Sequence, residues 1–234
     1  MLQVYPILCR AGIMNNYAYV ITDGTTTAVI DPSEAEPVIN FCEKQKLKPQ
    51  FILNTHHHFD HVEGNLEVSQ KYQAKIACNQ ADMIRITGAT LTLEPEKTAF
   101  LGSLKADIID VSAHTKGHIL YYFKEDKILF TGDTLFNLCI GGLFEGSAEM
   151  MFNALKKIKA LPDDVLFYPG HEYTLGGASF AYQYNNGNAN ITAYLKRAKD
   201  RLEKGLPVAP VSLGEEKCCN PYLEAETLED FINL

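Results

Sequence analysis

The sequence predicts an α/β protein in which short strands and amphipathic helices are stacked in layers. Two observations lead to this prediction: strand-like and helix-like segments alternate along the chain, and one apolar strand-like run ends directly in a cluster of histidines. The composition, 46% hydrophobic and 21% charged over 234 residues, is that of a globular protein with a sizeable core.

The first half of the chain begins with strands. The segments QVYPIL, NYAYVIT and TAVID favour strands, and the Asp-Gly pair between the second and the third is typical of a hairpin. A helix is predicted in EAEPVINFCEKQKL, which has acids in its first turn and lysines in its last. A buried strand, QFILNT, and a second helix, EVSQKYQ, follow, so this half predicts a layered architecture.

The second half continues this alternation before its composition changes. Strands are predicted in KADIIDVSA, ILYYFKE, KILFTGD and DVLFYPG, and a helix over residues 148–159. Beyond Gly176 and Gly177, the segments FAYQY and ANITAYLKRAKDRLEKG have helical periodicity. We therefore predict a boundary near residue 175, with an α/β domain over residues 1–174 and a helical C-terminal region over residues 175–234.

Charge and cysteine usage restrict the class of partner and the compartment. With 21 Lys+Arg against 29 Asp+Glu, the net charge of −8 disfavours binding to nucleic acid or to an anionic membrane, and favours a small-molecule substrate. The six cysteines lack CxxC spacing, and the N-terminus lacks the features of a secretory signal. We expect a cytoplasmic protein with reduced thiols that is a monomer or a weak oligomer.

The seven histidines, at positions 56, 57, 58, 61, 114, 118 and 171, all follow a predicted strand. In an extended backbone residues i and i+2 point to the same side, so His56 and His58 can bind one cation while His57 points away. Asp60 and His61 come from the next turn and could hold a second cation. Neutral imidazoles and carboxylates suit zinc, iron or manganese.

Four motifs, THHHFDH, HTKGH, FTGDTLF and GHEY, resemble those of the metallo-β-lactamase superfamily. The segments NNYAYVITD, VIDP, LFEGSAEMM, PGHEYT and NPYL extend the resemblance to the glyoxalase II (hydroxyacylglutathione hydrolase) family over nearly the whole chain. The resemblance implies an αββα sandwich with metals at one edge and a small helical C-terminal domain over the substrate cleft.

The resemblance also implies which residues bind the metals. It assigns His56, His58 and His114 to a first ion, Asp60, His61 and His171 to a second ion, and Asp133 to both. His57 and His118 are expected outside this ligand set. For Asp31, either orienting a ligand histidine or capping the following helix is expected, and we leave it outside the site.

The predicted chemistry is hydrolysis of a 2-hydroxyacyl thioester, of the S-lactoylglutathione type, to a hydroxy acid and a free thiol. Two divalent ions, zinc first and iron or manganese as alternatives, would lower the pKa of a shared water from 15.7 toward roughly 7. The bridging hydroxide, oriented by Asp60, would attack the thioester carbonyl. Tyr173 and Phe144 are predicted to contact the thiol carrier, with aromatic packing as their alternative role.

Two positions depart from the glyoxalase II pattern. Gly142 and Glu224 stand where that family carries basic residues for the carboxylates of glutathione. A cationic or less anionic thiol, such as a polyamine-conjugated glutathione, is therefore an alternative carrier.

Three rival functions share the metal-binding motifs: a persulfide dioxygenase with a single iron, a β-lactamase, and a noncatalytic metal-binding protein. A nuclease is disfavoured by the charge of −8.

Overall fold

The computed structural model describes residues 1–185 and 187–234, which form two compact units. The first unit comprises residues 1–110 and 117–126, and the second comprises residues 111–116 and 127–234. In the part of the chain that is described, no helix combines the length and the apolar character needed to cross a bilayer.

The first unit contains a sheet in the order β1-β2-β3-β4-β5-β6, and three further antiparallel strands, β7, β8 and β9. The strands are β1 (Gln3–Cys9), β2 (Asn16–Thr22), β3 (Thr27–Ile30), β4 (Phe51–Leu53), β5 (Lys75–Asn79), β6 (Ala89–Leu93), β7 (Thr98–Leu101), β8 (Leu104–Asp110) and β9 (Ile119–Phe123). The helices are α1 (Ala35–Gln45), α2 (Phe59–Val62) and α3 (Asn65–Tyr72), and a 3-10 turn covers Gln80–Asp82.

The register of β3 and β4 decides where this unit can place polar side chains. The two strands are parallel, with Ile30 paired to Leu53, so their carboxyl ends lie side by side. Apart from Thr27 both strands are apolar, and all of their residues except Phe51 are buried, as expected where both faces of a parallel sheet are covered. On one face, Val38 and Cys42 of α1 and Val68 of α3 complete the core. The polar residues that follow the two strands therefore meet at one edge.

The second unit repeats this arrangement at β10 and β13, which are parallel neighbours, with β14 antiparallel to β13. Its strands are β10 (Ile128–Gly132), β11 (Leu135–Phe136), β12 (Cys139–Ile140), β13 (Leu166–Pro169) and β14 (Val211–Ser212). Its helices are α4 (Ala148–Lys159), α5 (Thr174–Tyr184), α6 (Ala189–Leu202), α7 (Leu213–Lys217), α8 (Pro221–Glu224) and α9 (Leu228–Ile232). Gly170 N–H donates to Gly132 O at 2.8 Å, which ties the turn after β13 to the end of β10.

The strands and longer helices predicted from the sequence are present, but strands β5, β6 and β7 and the two-residue strands β11, β12 and β14 were not predicted. Strand β6, ATLTL, alternates apolar and polar residues over only five positions, and of these only Leu93 is buried, so the pattern is too short to be distinctive. The short helices α2, α7, α8 and α9 were not predicted either. Helices of four or five residues do not complete enough turns for a periodic pattern to appear.

Candidate metal centre

The histidine cluster follows β4 and runs into α2. His56 is 1% exposed, Asp60 5% and His61 1%, while His58 is half-buried. The ring of His56 lies with its centroid 4.7 Å from that of His58 and 4.2 Å from that of His61. Three imidazoles predicted to bind metal therefore lie together in the first unit, with the carboxylate of Asp60 on the same short helix as His61.

Asp31, at the end of β3, holds two of these imidazoles. One of its oxygens, Oδ2, accepts a hydrogen bond from the Thr55 hydroxyl at 2.6 Å and lies 3.0 Å from His61 Nδ1. The Thr55 hydroxyl in turn lies 3.0 Å from His56 Nδ1. Because the carboxylate can only accept, the protons sit on the two Nδ1 atoms, and each Nε2 keeps the lone pair that a metal requires.

The alternative role of Asp31 as a helix cap is absent from the structure. The N-cap of α1 is Glu34, whose side chain makes no capping hydrogen bond. The other oxygen of Asp31, Oδ1, accepts from the Thr55 backbone N–H at 2.8 Å. Asp31, His56 and His61 have ligand atoms within 4.8 Å of one another, but this carboxylate is already engaged by three donors, so we describe it as an outer partner of the histidines.

Asp60 is held by Asn16, the first residue of β2. Asn16 Nδ2 donates to Asp60 Oδ2 at 2.9 Å and to the Asp60 carbonyl at 3.0 Å. The same Oδ2 lies 3.7 Å from His61 Nε2. A carboxylate and an imidazole nitrogen therefore lie together, in positions set by a neighbouring strand.

The other two histidines of this unit have different surroundings. His57 Nδ1 lies 3.3 Å from Asp82 Oδ1. Burial raises the pKa of the Asp82 carboxyl, and the adjacent His57 and Arg85 act in the opposite direction. The ring of His118 stacks on that of His56, with centroids 4.7 Å apart and an interplanar angle of 16°.

In the second unit, Asp133 lies between two histidines. It follows β10, and its Oδ2 lies 3.6 Å from His114 Nε2 and 3.3 Å from His171 Nε2. All three residues are buried, with 6%, 3% and 2% of their surface exposed respectively. One carboxylate oxygen is thus within reach of two imidazole nitrogens, as a carboxylate serving two cations would be.

His114 is oriented by the backbone of a loop. Its Nδ1 lies 2.7 Å from the Gly142 carbonyl, so Nδ1 carries the proton and Nε2 is the ligand atom. The preceding residue, Gly141, packs so closely that a Cβ there would lie 1.8 Å from Asp133 O and 3.0 Å from His114 Nδ1. Only glycine fits between these two predicted ligands.

The two aromatic residues predicted to contact substrate lie beside the histidines of the second unit. Phe144 is 71% exposed and contacts the His114 ring edge-on, with centroids 5.1 Å apart. Tyr173 is 37% exposed and stacks on His171 at 4.6 Å, and it also contacts Phe136. Phe144 is too exposed for aromatic packing to be its main role, whereas Tyr173 both packs and presents surface.

The chemistry of these donors fits divalent metal ions. Buried imidazoles and carboxylates at this density are costly to desolvate unless a cation compensates them. His56, His61 and His114 each have Nδ1 engaged by a hydrogen-bonding partner, which is the usual arrangement of metal-bound histidine. Nitrogen and carboxylate donors without thiolates suit zinc, iron or manganese, and do not select among them.

Three supporting residues were not predicted from the sequence: Asn16, Gly141 and Asp82. Nothing near Asn16 or Asp82 in the chain marks them, because each meets its partner through tertiary contacts alone. For Gly141, the Gly-Gly pair with Gly142 could have indicated a close backbone contact. The same pair is also typical of an ordinary loop, so it does not single out this residue.

Two family profiles and a related protein match nearly the whole chain. The metallo-β-lactamase superfamily profile matches residues 11–171, and the hydroxyacylglutathione hydrolase C-terminus profile matches residues 172–232. A hydroxyacylglutathione hydrolase of Pelagibacter ubique is 40% identical over 224 residues, covering 95% of this chain and 94% of that protein.

Two solved structures resemble the chain in fold. ETHE1 from Myxococcus xanthus matches with a TM-score of 0.74 at 21% identity, over 99% of this chain and 88% of that one. The BLEG-1 B3 metallo-β-lactamase matches with a TM-score of 0.71 at 23% identity, over 96% of this chain and 100% of that one. These likenesses confirm the predicted α/β fold class.

Proposed function

Since this chain belongs to the metallo-β-lactamase superfamily and, within it, to the hydroxyacylglutathione hydrolase family, we propose that it hydrolyses 2-hydroxyacyl thioesters of the S-lactoylglutathione type. It is a metal-dependent hydrolase. The products are a hydroxy acid and a free thiol. One observation carries the proposal: of the seven predicted ligands, all but His58 are buried polar side chains, in surroundings that suit metal binding.

We assign the ligands as the family resemblance implies. His56, His58 and His114 hold one ion, and Asp60, His61 and His171 hold the other. Asp133 binds both ions, which is supported by the short distances from its Oδ2 to His114 Nε2 and His171 Nε2. Zinc is the proposed metal, with iron and manganese as the alternatives that the same donors accept.

When bound, the two ions supply Lewis acidity that lowers the pKa of water and polarises the thioester carbonyl. The residues of the chain contribute orientation. Asn16 fixes Asp60 Oδ2, so that the Asp60 carboxylate can orient the attacking water toward the carbonyl carbon. A thiol pKa of about 8.5 lets the thiolate depart without a strong general acid from the protein.

We also propose that the helical region from residue 175 onward binds the thiol carrier, while residues 1–174 carry the metals. The exposed rings of Phe144 and Tyr173, beside the second-unit histidines, offer further contact surface for this carrier. Gly142 and the exposed Glu224 offer no cation for a carboxylate of glutathione. We therefore expect lactoylglutathione to bind weakly, with a carrier of lower negative charge preferred.

The activity is tested with the purified full chain, loaded with zinc, manganese or iron in turn. Thiol release is followed for lactoylglutathione, for a polyamine-conjugated lactoylglutathione and for a simple acyl thioester, and bound metal is counted in each sample. We expect two ions per chain and preferential cleavage of 2-hydroxyacyl thioesters. A protein that carries both ions but cleaves none of these thioesters would disprove the activity, and one iron with oxygen consumption on a persulfide would indicate a dioxygenase.

Adjacent histidines provide a matched pair of variants. His56→Gln removes a predicted ligand, whereas His57→Gln changes the neighbouring residue that pairs with Asp82. We expect His56→Gln to lose bound metal and thiol release, and His57→Gln to keep both. Equal metal loss in the two variants would contradict the ligand assignment.

A further inference from the structure

Glu216, on the short helix α7, is a fully buried carboxylate with three hydrogen-bond donors. Its Oε1 accepts from the backbone N–H of Leu138 at 2.6 Å and from Asn220 Nδ2 at 2.9 Å. Its Oε2 accepts from the Tyr194 hydroxyl at 3.1 Å. The side chain has no exposed surface, and burial raises its pKa to about 7. A buried carboxylate is costly to desolvate, so its role is better sought in what it holds than in added stability.

All three donors lead to one segment, Asn137–Cys139. Leu138 donates its N–H directly to Glu216, and Asn220 Nδ2 also donates to Cys139 O at 3.1 Å. Tyr194 completes the set, because its hydroxyl accepts from Asn137 Nδ2 at 2.6 Å. Three consecutive residues are thus bound by side chains from α6, α7 and the start of α8.

The segment needs this support because of its backbone conformation. Leu138 has φ of +65°, a left-handed conformation that a branched side chain rarely adopts. On the opposite side, α5 approaches so closely that a Cβ on Gly177 would lie 2.5 Å from Asn137 O. The hydrogen bond from Leu138 N–H to Glu216 offsets the unfavourable conformation at that residue.

The segment leads directly to His114. Two residues after Cys139, Gly141 lies against Asp133 O and His114 Nδ1, and the carbonyl of Gly142 accepts from His114 Nδ1. A shift of the 137–142 backbone would therefore move the partner that fixes the ring of His114.

We propose that Glu216 is a positioning residue for the hydrolytic site: by holding Leu138 and, through Asn220, Cys139, it places the Gly142 carbonyl that orients His114. This inference depends on the proposed function in one respect: it takes His114 as a metal ligand. Glu216 itself touches neither substrate nor metal ligand among its hydrogen-bond partners. Its effect is transmitted through the 137–142 backbone.

Two variants of nearly equal size separate the positioning role from simple packing. Glu216→Gln keeps an oxygen acceptor for Leu138 and Asn220, and its amide can donate to the Tyr194 oxygen. Glu216→Met keeps the volume but removes the acceptor. Glu215→Gln is the control, because Glu215 is the neighbouring acid on α7 and pairs with Arg197 at the surface.

The measurements are made on the full chain and include two that need no substrate. Amide hydrogen exchange measures how readily the backbone of residues 137–142 opens, and competition with a chelator measures zinc affinity. Thiol release gives kcat and KM. In Glu216→Met we expect exchange at 137–142 to quicken and zinc affinity to fall by about 10- to 100-fold, with kcat falling more than KM changes. Glu216→Gln and Glu215→Gln should stay within about threefold of the parent protein.

Other results would overturn the assignment. A folded Glu216→Met protein with parental exchange and zinc affinity would show that Glu216 only fills space, and equal losses in Glu216→Gln would show that the acceptor is not what matters. Should Glu216→Met not fold, Asn220→Ala repeats the test, because it removes the bonds to Glu216 and Cys139 O while keeping the carboxylate. If the parent protein cleaves no thioester, exchange and zinc affinity still decide the role of Glu216.

Discussion

His61 Nδ1 lies 3.0 Å from Asp31 Oδ2, although thirty positions separate the two residues in the chain. The same oxygen accepts the Thr55 hydroxyl, which bonds to His56 Nδ1. One carboxylate oxygen thereby fixes the tautomer of two imidazoles, that of His61 directly and that of His56 through the Thr55 hydroxyl. The parallel pairing of β3 and β4 makes this possible, since it places Asp31 and Thr55 at adjacent strand ends.

Asp31→Asn should weaken metal binding. The amide cannot accept from all three donors, so at least one histidine loses the partner that directs its Nε2 lone pair. We expect zinc affinity to fall about 10- to 100-fold, measured by competition with a chromogenic chelator. Asp164→Asn, which removes an exposed ion pair with Lys127, is the control and should leave affinity unchanged. Parental zinc affinity in Asp31→Asn would mean that this carboxylate serves only the fold.

Asp133→Ala should cost both metal content and turnover. Its Oδ2 lies within 3.6 Å of one imidazole nitrogen and 3.3 Å of another, and we propose that it binds both ions. We expect fewer than two ions per chain, and a fall in kcat larger than the roughly 100-fold upper range for outer partners. Elemental analysis and thiol-release kinetics on the same preparation provide the test. Retention of both ions and full rate would rule out the shared-carboxylate assignment.

Gly141→Ala should damage the site although it adds only a methyl group. The new Cβ would lie 1.8 Å from Asp133 O, a backbone atom that cannot move without displacing the ligand itself. We expect reduced metal content and lower kcat. Gly176→Ala on α5 is the matched control, since its Cβ meets nothing within 4 Å and alanine favours a helix by about 1 kcal/mol. Equal metal content in the two variants would contradict the predicted clash.

Glu216→Gln should become more stable relative to the parent protein as pH rises. Burial raises the folded-state pKa of Glu216 from 4.5 to about 7, so the folded protein retains a proton that the unfolded chain has lost. The contribution of Glu216 to the free energy of unfolding is thus fully present below about pH 4.5. It is lost as the pH rises through about 7, at up to about 1.4 kcal/mol per pH unit. Glutamine has no such loss.

The comparison is made by urea unfolding of both proteins at several values between about pH 5 and pH 8. Effects of pH on the groups that the two proteins share cancel in the difference. A difference in unfolding free energy that stays flat across this range would show that Glu216 titrates near its ordinary value in the folded protein.

Glu224→Arg should improve the use of lactoylglutathione. Glu224 is exposed and accepts a hydrogen bond from Asn185 at 3.2 Å, so arginine can be accommodated at the surface. A new charge-assisted contact with a carboxylate of glutathione would raise kcat/KM about tenfold or more. Glu226→Arg changes the net charge equally two residues away, and should raise kcat/KM much less. Equal gains would point to overall charge in place of a specific contact.

The sequence alone was enough to propose the metal-binding residues, because histidines that directly follow strands of an α/β protein lie at strand ends, where ligand sites are commonly built. His56, His58 and Asp60 could be proposed as ligands from local spacing and from the resemblance to known motifs. The fold class and the family followed from the same residues, and both were confirmed. Strands β6 and β7 were missed because they are short and mostly exposed, whereas β5 is buried but only five residues long.

Tertiary structure decided which polar residues support these ligands. Asp31 was equally compatible with capping a helix or orienting a histidine, and the pairing of β3 with β4 selected the second role. Glu215 and Glu216 are identical neighbours in the sequence, yet one forms a surface ion pair and the other is fully buried. Local sequence sets the spacing of side chains along an element, whereas burial and hydrogen-bond partners depend on which distant segments pack against it.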